Sequence, residues 1–331
     1  MIARVSSAPT ISAGAVDGYG AIFNAGLCHF DGRYHLFARG VRSGYSRNTE
    51  SGPRFLNYLS DVLVFVSNDG LHYEFDYVLG AAGSHGVHCF EDPRVQRVVS
   101  EGVEHVVMTY TNLPDPATGQ PWRIGAHRLT FDGQRFHLDE QSGCLLGPAG
   151  VANKDAVVFN LRDGRIALIH RVHPDMQIAV FDTIDEMWHA DDTYWEPYLA
   201  SLEDHVIIRP SPDSLGVGAG APPVVSDDGL LLFFHERRGD GVYTMRVALL
   251  DHNTGRVISL PDGSIMEPEL EWERIGDMED VVFVQGSHRP GEGSIYLTYG
   301  AADSHVGAMI VDEARLLSML ADARQVSTGV L

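Results

Sequence analysis

One short signal recurs five times along this chain. Asp31-Gly32 leads into the run Arg33-Tyr34-His35-Leu36-Phe37-Ala38-Arg39, Glu101-Gly102 into His105-Val106-Val107-Met108-Thr109-Tyr110, and Asp163-Gly164 into Arg165-Ile166-Ala167-Leu168-Ile169-His170-Arg171. Asp228-Gly229 then leads into residues 230–235 and Glu292-Gly293 into residues 294–300. An acid followed by glycine before an apolar or alternating run marks a tight hairpin turn, because glycine accepts the positive φ such a turn demands. The spacing is roughly 60 to 70 residues, the signature of a repeated supersecondary unit. A strand-like run also precedes each turn, at 25–30, 95–99, 156–161, 223–226 and 281–285. Half of a four-stranded sheet is therefore written five times, and runs such as 62–67 and 243–250 complete the sheets.

Radial repetition of four-stranded sheets is the β-propeller solution to the edge-strand problem. The expected fold is all-β, a five-bladed β-propeller over residues 1–331 as a single catalytic domain. A two-sheet sandwich ranks second, since it does not require a five-fold recurrence. Helical periodicity is weak except at 311–324, where Leu316, Leu317 and Leu320 predict a short C-terminal helix on the outside.

Composition narrows the partners. The formal net charge of −21 disfavours nucleic acid and anionic membrane, because the long-range field repels phosphate backbones. Any small-anion site must therefore rest on a local cluster of cations. Among the 24 Lys plus Arg, lysine occurs only at Lys154, which points to a position where arginine will not serve. No apolar run reaches the ~20 residues needed to span a bilayer, and the first residues lack a signal-peptide pattern, so a cytoplasmic location is expected. Three widely spaced cysteines, Cys28, Cys89 and Cys144, fit buried thiols better than a disulfide framework.

In a propeller, residues beside the ends of the inner strands converge at one mouth of the central channel. Those preceding the first strands are Asn24, Asp92, Lys154 with Asp155, Gly220, and Glu279 with Asp280. Those following the second strands are Arg39, Tyr110, Arg171, His235, and Tyr299 followed by Asp303. Such a ring predicts a polar pocket of sugar size. Asp92 sits in Glu91-Asp92-Pro93-Arg94, where proline fixes its own φ and holds Asp92 extended, so its carboxylate has a defined direction. The run 216–220 lacks the lysine and helix of a nucleotide-phosphate loop, and its glycines suit close approach to the axis. No His-x-x-x-His or Glu-x-x-His spacing supports a metal centre, so neither metal nor organic cofactor is expected.

Several separated motifs together resemble glycoside hydrolase family 130, the β-mannoside phosphorylases and related β-mannosidases. They are Phe90-Glu91-Asp92-Pro93-Arg94-Val95, Asn153-Lys154-Asp155-Ala156-Val157-Val158-Phe159, Ile169-His170-Arg171-Val172-His173-Pro174, Gly218-Ala219-Gly220-Ala221-Pro222-Pro223 and Tyr299-Gly300-Ala301-Ala302-Asp303. The resemblance implies a five-bladed propeller and inverting phosphorolysis of a β-mannoside, with inorganic phosphate as co-substrate and α-mannose 1-phosphate as product. It implies Asp92 as the catalytic acid, acting directly or through a mannose hydroxyl. Lys154, Arg171, His235 and Tyr243 are implied as phosphate ligands, and Asn24, Arg39, Arg94 and Asp303 as binders of the mannoside. The chemistry suits the inventory: an inverting hydrolase needs a second carboxylate to activate water, whereas a phosphorylase needs one acid and a cationic cluster.

Glu236-Arg237-Arg238 departs from the family pattern after His235, and a glutamate there is what a hydrolase would use as base. Inverting β-mannoside hydrolysis therefore stays open, as does a non-catalytic carbohydrate-binding propeller. The linkage cleaved and assembly into a homo-oligomer also stay open. Acceptor choice is assigned to mouth loops at 40–57 and 113–122.

Overall fold

A computed structural model describes residues 1–49 and 54–328. Five antiparallel sheets form the blades of a propeller. The first blade is Tyr19–Phe30, Arg33–Arg42, Ser60–Ser67 and Glu74–Gly80. The second runs Cys89–Ser100, Val103–Leu113, Arg123–Phe131 and Phe136–Leu138, with Cys144–Leu146 beside its third strand. Lys154–Asn160, Ile166–Arg171, Met176–Phe181 and Val206–Ile208 make the third. The fourth has a divided inner strand, Ser214–Ala219 and Val224–Val225, followed by Leu230–Arg238, Tyr243–Leu250 and Val257–Ser259. Val282–Gly291, Ser294–Ala301 and His305–Asp312 form the fifth, and Ile2–Arg4 completes it by pairing Ile2 with Val311. The ring is thus closed by a strand from the N-terminus, a long-range pairing that the five-fold repeat does not announce.

All five acid-glycine pairs connect the two innermost strands of a blade. Asp31-Gly32 and Glu101-Gly102 both have positive φ at each residue (49° and 74°, 52° and 77°), as a type I′ turn requires. Each blade buries both faces of its sheet, which explains apolar runs without clean alternation. In Ile166–Arg171, Ile166 and Leu168 pack towards the second blade while Ala167 and Ile169 pack towards the fourth. The same division holds in Leu230–Arg238, where Leu231 and Phe233 face the fifth blade and Leu232 and Phe234 the third. The core is therefore a set of wedges between neighbouring blades.

The C-terminal helix is Glu313–Thr328, with Leu316 and Leu320 buried against the fourth and fifth blades. Ser259 Oγ donates to Leu320 O at 2.6 Å and fixes its seat. Two further helices, Ile184–His189 and Asp192–Ala200, were not expected from periodicity. Each is short and begins at a side-chain cap, Thr183 and Asp191 respectively, and they bury Met187, Trp195 and Tyr198 on the outside of the third blade. Among the described residues no helix is long and apolar enough to cross a membrane.

Candidate active site

The inner strands of the first three blades break register at corresponding places: between Phe23 and Gly26, between Glu91 and Arg94, and between Lys154 and Val157. Within the breaks stand Asn24, Asp92 and Asp155, with φ of 47°, 49° and 56°. A β-bulge with a left-handed residue re-aims a side chain that a regular strand would send into the blade, and Asn and Asp tolerate that conformation best. These positions therefore lie inside the strands, not ahead of them as the sequence reading placed them. The left-handed φ of Asp92 also replaces the extended conformation expected before Pro93. The bias from proline is overridden by the bulge.

Asp92 is 3 % exposed. Its Oδ1 accepts from Asn24 Nδ2 at 2.8 Å and from Arg39 Nη1 at 3.4 Å. Arg39 also pairs with Glu91 and lies over the Phe23 and Tyr58 rings at 4.9 and 5.3 Å. Burial works against the Asp92 carboxylate, yet Arg39, then Lys154 and Arg94, with the Asn24 hydrogen bond, hold it below the usual carboxylate range. Asp303 comes from the turn that follows Ser294–Ala301, where both Ala302 and Asp303 are left-handed (φ 49° and 50°). Its carboxyl is pushed up to about 7 by burial, to which the Asp92 and Glu91 carboxylates add, while Arg39 and Lys154 oppose the rise.

Arg94 does not reach the cavity wall. At 1 % exposure it donates from Nε to Gly220 O (2.8 Å), from Nη2 to Ala219 O (2.6 Å) and Asp155 Oδ1 (3.3 Å), and from Nη1 to Asp92 O (3.0 Å). Arg94, expected among the binders of the mannoside, instead directs these donors to groups that tie the second blade to the third and fourth beneath the site. The glycine run beside it acts as expected, since a Cβ on Gly220 would meet Phe233 O and Val284 O at 2.8 Å.

A second cluster centres on Asp155. Arg171 Nη1 lies 3.0 Å and His235 Nε2 3.4 Å from Asp155 Oδ2. Against the effect of burial, Arg171, Lys154 and His235 hold this carboxyl well below the usual range. Lys154 is the register partner of Arg171 across the two inner strands of the third blade. Burial disfavours its ammonium, but Asp155 and Glu91 outweigh that and raise it. Among the described residues its ammonium has neither hydrogen bond nor ion pair. His235 stacks on Phe283 at 4.0 Å between centroids, and burial lowers its imidazole to about 4. Tyr243, on the neighbouring strand, stands at the margin with its ring 6.1 Å from that of His235.

Glu236 faces away from all of this. Alternation along the strand sends His235 and Glu236 to opposite faces. The glutamate accepts from Arg246 Nη1 at 2.8 Å and from Ser211 N and Oγ at 2.5 and 3.2 Å.

Above both clusters opens a cavity of about 880 Å³, large enough for an oligosaccharide segment. Its ionic part is Arg39, Arg54, Glu91, Asp115, Lys154, Arg171 and Asp303, and its outer walls include Phe55, Tyr58, Leu113 and Trp122. Residues 54–57 and 113–122 thus border the mouth as expected of the two loops, while 50–53 of the first loop lie outside the described residues. Asp92, Asn24 and His235 lie just beneath this lining. The sequence places Asp155 on the ring without giving it or Glu91 a role; in the structure Asp155 holds in the third blade the place of Asn24 and Asp92 in the first two. Among the described residues no group of three or more His, Cys, Asp or Glu side chains is placed to hold a metal ion.

A polar cavity at one mouth of a five-bladed propeller, lined by both carboxylates and cations, defines a carbohydrate-processing site. The family described as beta-1,4-mannooligosaccharide phosphorylase, glycoside hydrolase family 130, matches residues 4–322, and the chain belongs to that family. It is 29% identical over 307 residues to a beta-1,2-mannobiose phosphorylase of Thermoanaerobacter sp. (strain X514), covering 89% of this chain and 91% of that one. A 1,2-beta-oligomannan phosphorylase of the same organism is also 29% identical, over 303 residues, covering 88% and 90% of the two chains. In structure it is similar to the beta-1,2-mannobiose phosphorylase from Listeria innocua, with a TM-score of 0.73 at 20% identity over 96% of this chain and 99% of the other.

Proposed function

We propose that this chain catalyses inverting phosphorolysis of a β-mannoside, releasing α-mannose 1-phosphate and a shortened acceptor. A phosphate oxygen forms a bond to C1 from the α face while the β-glycosidic C1–O bond breaks. The proton carried by Asp92 passes to the departing oxygen, directly or through a mannose hydroxyl. Asn24 and Arg39 orient Asp92 and, with Asp303, hold the mannosyl unit. Lys154, Arg171, His235 and Tyr243 receive phosphate.

The observation that carries this reading is the grouping of Lys154, Arg171 and His235 at one cavity, with the Lys154 ammonium unpaired among the described residues. Asp155 is ion-paired with Arg171 and Arg94, and Glu236 is turned to the opposite face and paired with Arg246. An inverting hydrolase needs a carboxylate free to take a proton from water, and a phosphorylase does not. Phosphate also supplies what Asp92 needs in order to act as an acid. Placed beside Lys154, its negative charge offsets one of the cations that hold the Asp92 carboxyl down and lifts it back towards protonation.

The matched relatives are named for β-1,2-linked mannosides, so β-1,2-mannobiose is the first substrate to test. It is expected to be consumed only when phosphate is supplied. Equal consumption in phosphate-free buffer would replace this reading with hydrolysis.

A further inference from the structure

Lys154 and Arg171 stand opposite each other across the two inner strands of the third blade, as the last register pair beyond the break that ends at Val157. Like charges facing each other weaken strand pairing, and a bulge removes ladder bonds that would otherwise oppose the repulsion. Asp155 offsets part of it by pairing with Arg171 at 3.0 Å. The Lys154 ammonium has neither hydrogen bond nor ion pair among the described residues, so the place of this side chain is set by its backbone. The sequence neighbours of the pair, Asn153 and His170, are fully buried, and neither lines the cavity.

Asn153 and His170 begin a chain of side-chain hydrogen bonds that crosses the break. Asn153 Nδ2 lies 3.0 Å from His170 Nδ1, nearer than Asn153 Oδ1 at 3.2 Å. His170 Nε2 lies 2.9 Å from the Tyr198 hydroxyl, which donates to Ile178 O at 3.1 Å. A phenol has one proton. Spent on Ile178 O, it leaves the Tyr198 oxygen to accept from Nε2–H, and Nδ1 of the neutral ring accepts from the Asn153 amide. Alternation gives the directions: His170 shares the face of Ile166 and Leu168, towards the second blade, and Arg171 takes the other. Both ends of the chain are seated. Tyr198 belongs to the helix Asp192–Ala200 and stacks on His205 at 3.9 Å between centroids. Asn153 N donates to the carbonyl of Trp122 on the cavity wall at 3.1 Å, and Gly147 leaves room for the amide, since a Cβ there would meet Nδ2 at 2.7 Å.

We propose that His170 is a positioning residue for the anion half of the site, anchored by Asn153 and Tyr198, and that this chain holds the strand ends carrying Lys154 and Arg171 where one phosphate meets both. This rests on the phosphorolysis reading and adds to it residues outside the cavity on which phosphate affinity depends. Asp92 is fixed separately, by Asn24 at 2.8 Å and Arg39 at 3.4 Å. Loosening the chain therefore lets the two cations separate and leaves the acid and the mannosyl contacts in place. Phosphate, once bound, draws the cations together again, so the loss falls on binding and not on the chemical step.

Initial rates of β-1,2-mannobiose phosphorolysis by the full chain, with each substrate varied at saturating levels of the other, test this. In His170→Leu the Asn153 amide loses its acceptor, and the KM for phosphate is expected to rise about tenfold or more, with kcat and the KM for mannobiose within about twofold of wild type. His170→Asn returns an acceptor near the place of Nδ1 and is expected to bring the KM for phosphate back to within about threefold of wild type. Tyr198→Phe removes only the hydroxyl and is expected to raise it about three- to tenfold; it carries the test if His170→Leu does not fold. A role in packing alone would lower Tm with both KM values unmoved, or raise the two together. Either result would overturn this inference and leave phosphorolysis standing. Turnover without phosphate would overturn both.

Discussion

His235 and Glu236 are consecutive on one strand and serve opposite faces of the fourth blade: His235 Nε2 lies 3.4 Å from Asp155, while Glu236 pairs with Arg246 at 2.8 Å. Glu236→Gln should therefore leave the phosphate requirement unchanged. Its cost should appear in stability, about 1–3 kcal/mol for weakening a buried charge-assisted hydrogen bond, read as a lowered Tm. A variant with unchanged Tm and altered phosphate dependence would put Glu236 in the chemistry after all.

Gly218 lies where Asp155 and His235 meet, and a Cβ there would contact both. Gly218→Ala is expected to raise the KM for phosphate by about tenfold or more through displacement of the cluster, with little change in the KM for mannobiose. Equal loss on both substrates, with circular dichroism unchanged, would separate Gly218 from the anion site.

Much of this was legible in the sequence because the relevant signals are local. Five acid-glycine turns mark five hairpins, and the apolar runs beside them mark strands buried on both faces. The apolar pattern starts the inner strands near Val95 and Ala156, however, whereas they extend back to Cys89 and Lys154 through bulges. A bulge depends on the partner strand and on what the re-aimed side chain meets. Asp92 and Lys154 were recognisable through their motifs. The partners of Arg94, the carbonyls of Ala219 and Gly220, leave no local sign because they are over a hundred residues away in sequence. The capped helices after Thr183 are too short to show a period, and closure of the ring by Ile2–Arg4 has no local signature.

Asp303 carries a carboxyl raised by burial to about 7, so the sign of its effect on stability is fixed. A raised carboxyl gives stability that is fully present below the unfolded pKa and is lost as pH rises through the folded value. Between about pH 4 and about pH 7 it therefore makes the fold progressively less stable. Asp303→Asn, which suits the left-handed backbone equally well, removes that term. Its Tm relative to wild type is expected to rise from about pH 5 to about pH 8, and a constant difference across that range would contradict a raised carboxyl here.

Asp92→Asn keeps an acceptor for Asn24 and a residue type at ease with φ of 49°. It should fold normally and lose phosphorolysis by about 10²- to 10⁴-fold, the usual worth of a general acid. Retention of wild-type turnover by the folded variant would remove Asp92 from its role.

The most direct test of phosphorolysis at this site is the identity of the first product. Proton and phosphorus NMR of β-1,2-mannobiose incubated with the full chain in phosphate should show α-mannose 1-phosphate and one mannose for each disaccharide consumed, and no reaction without phosphate. Two free mannose molecules for each disaccharide, with no phosphorylated sugar, would contradict it.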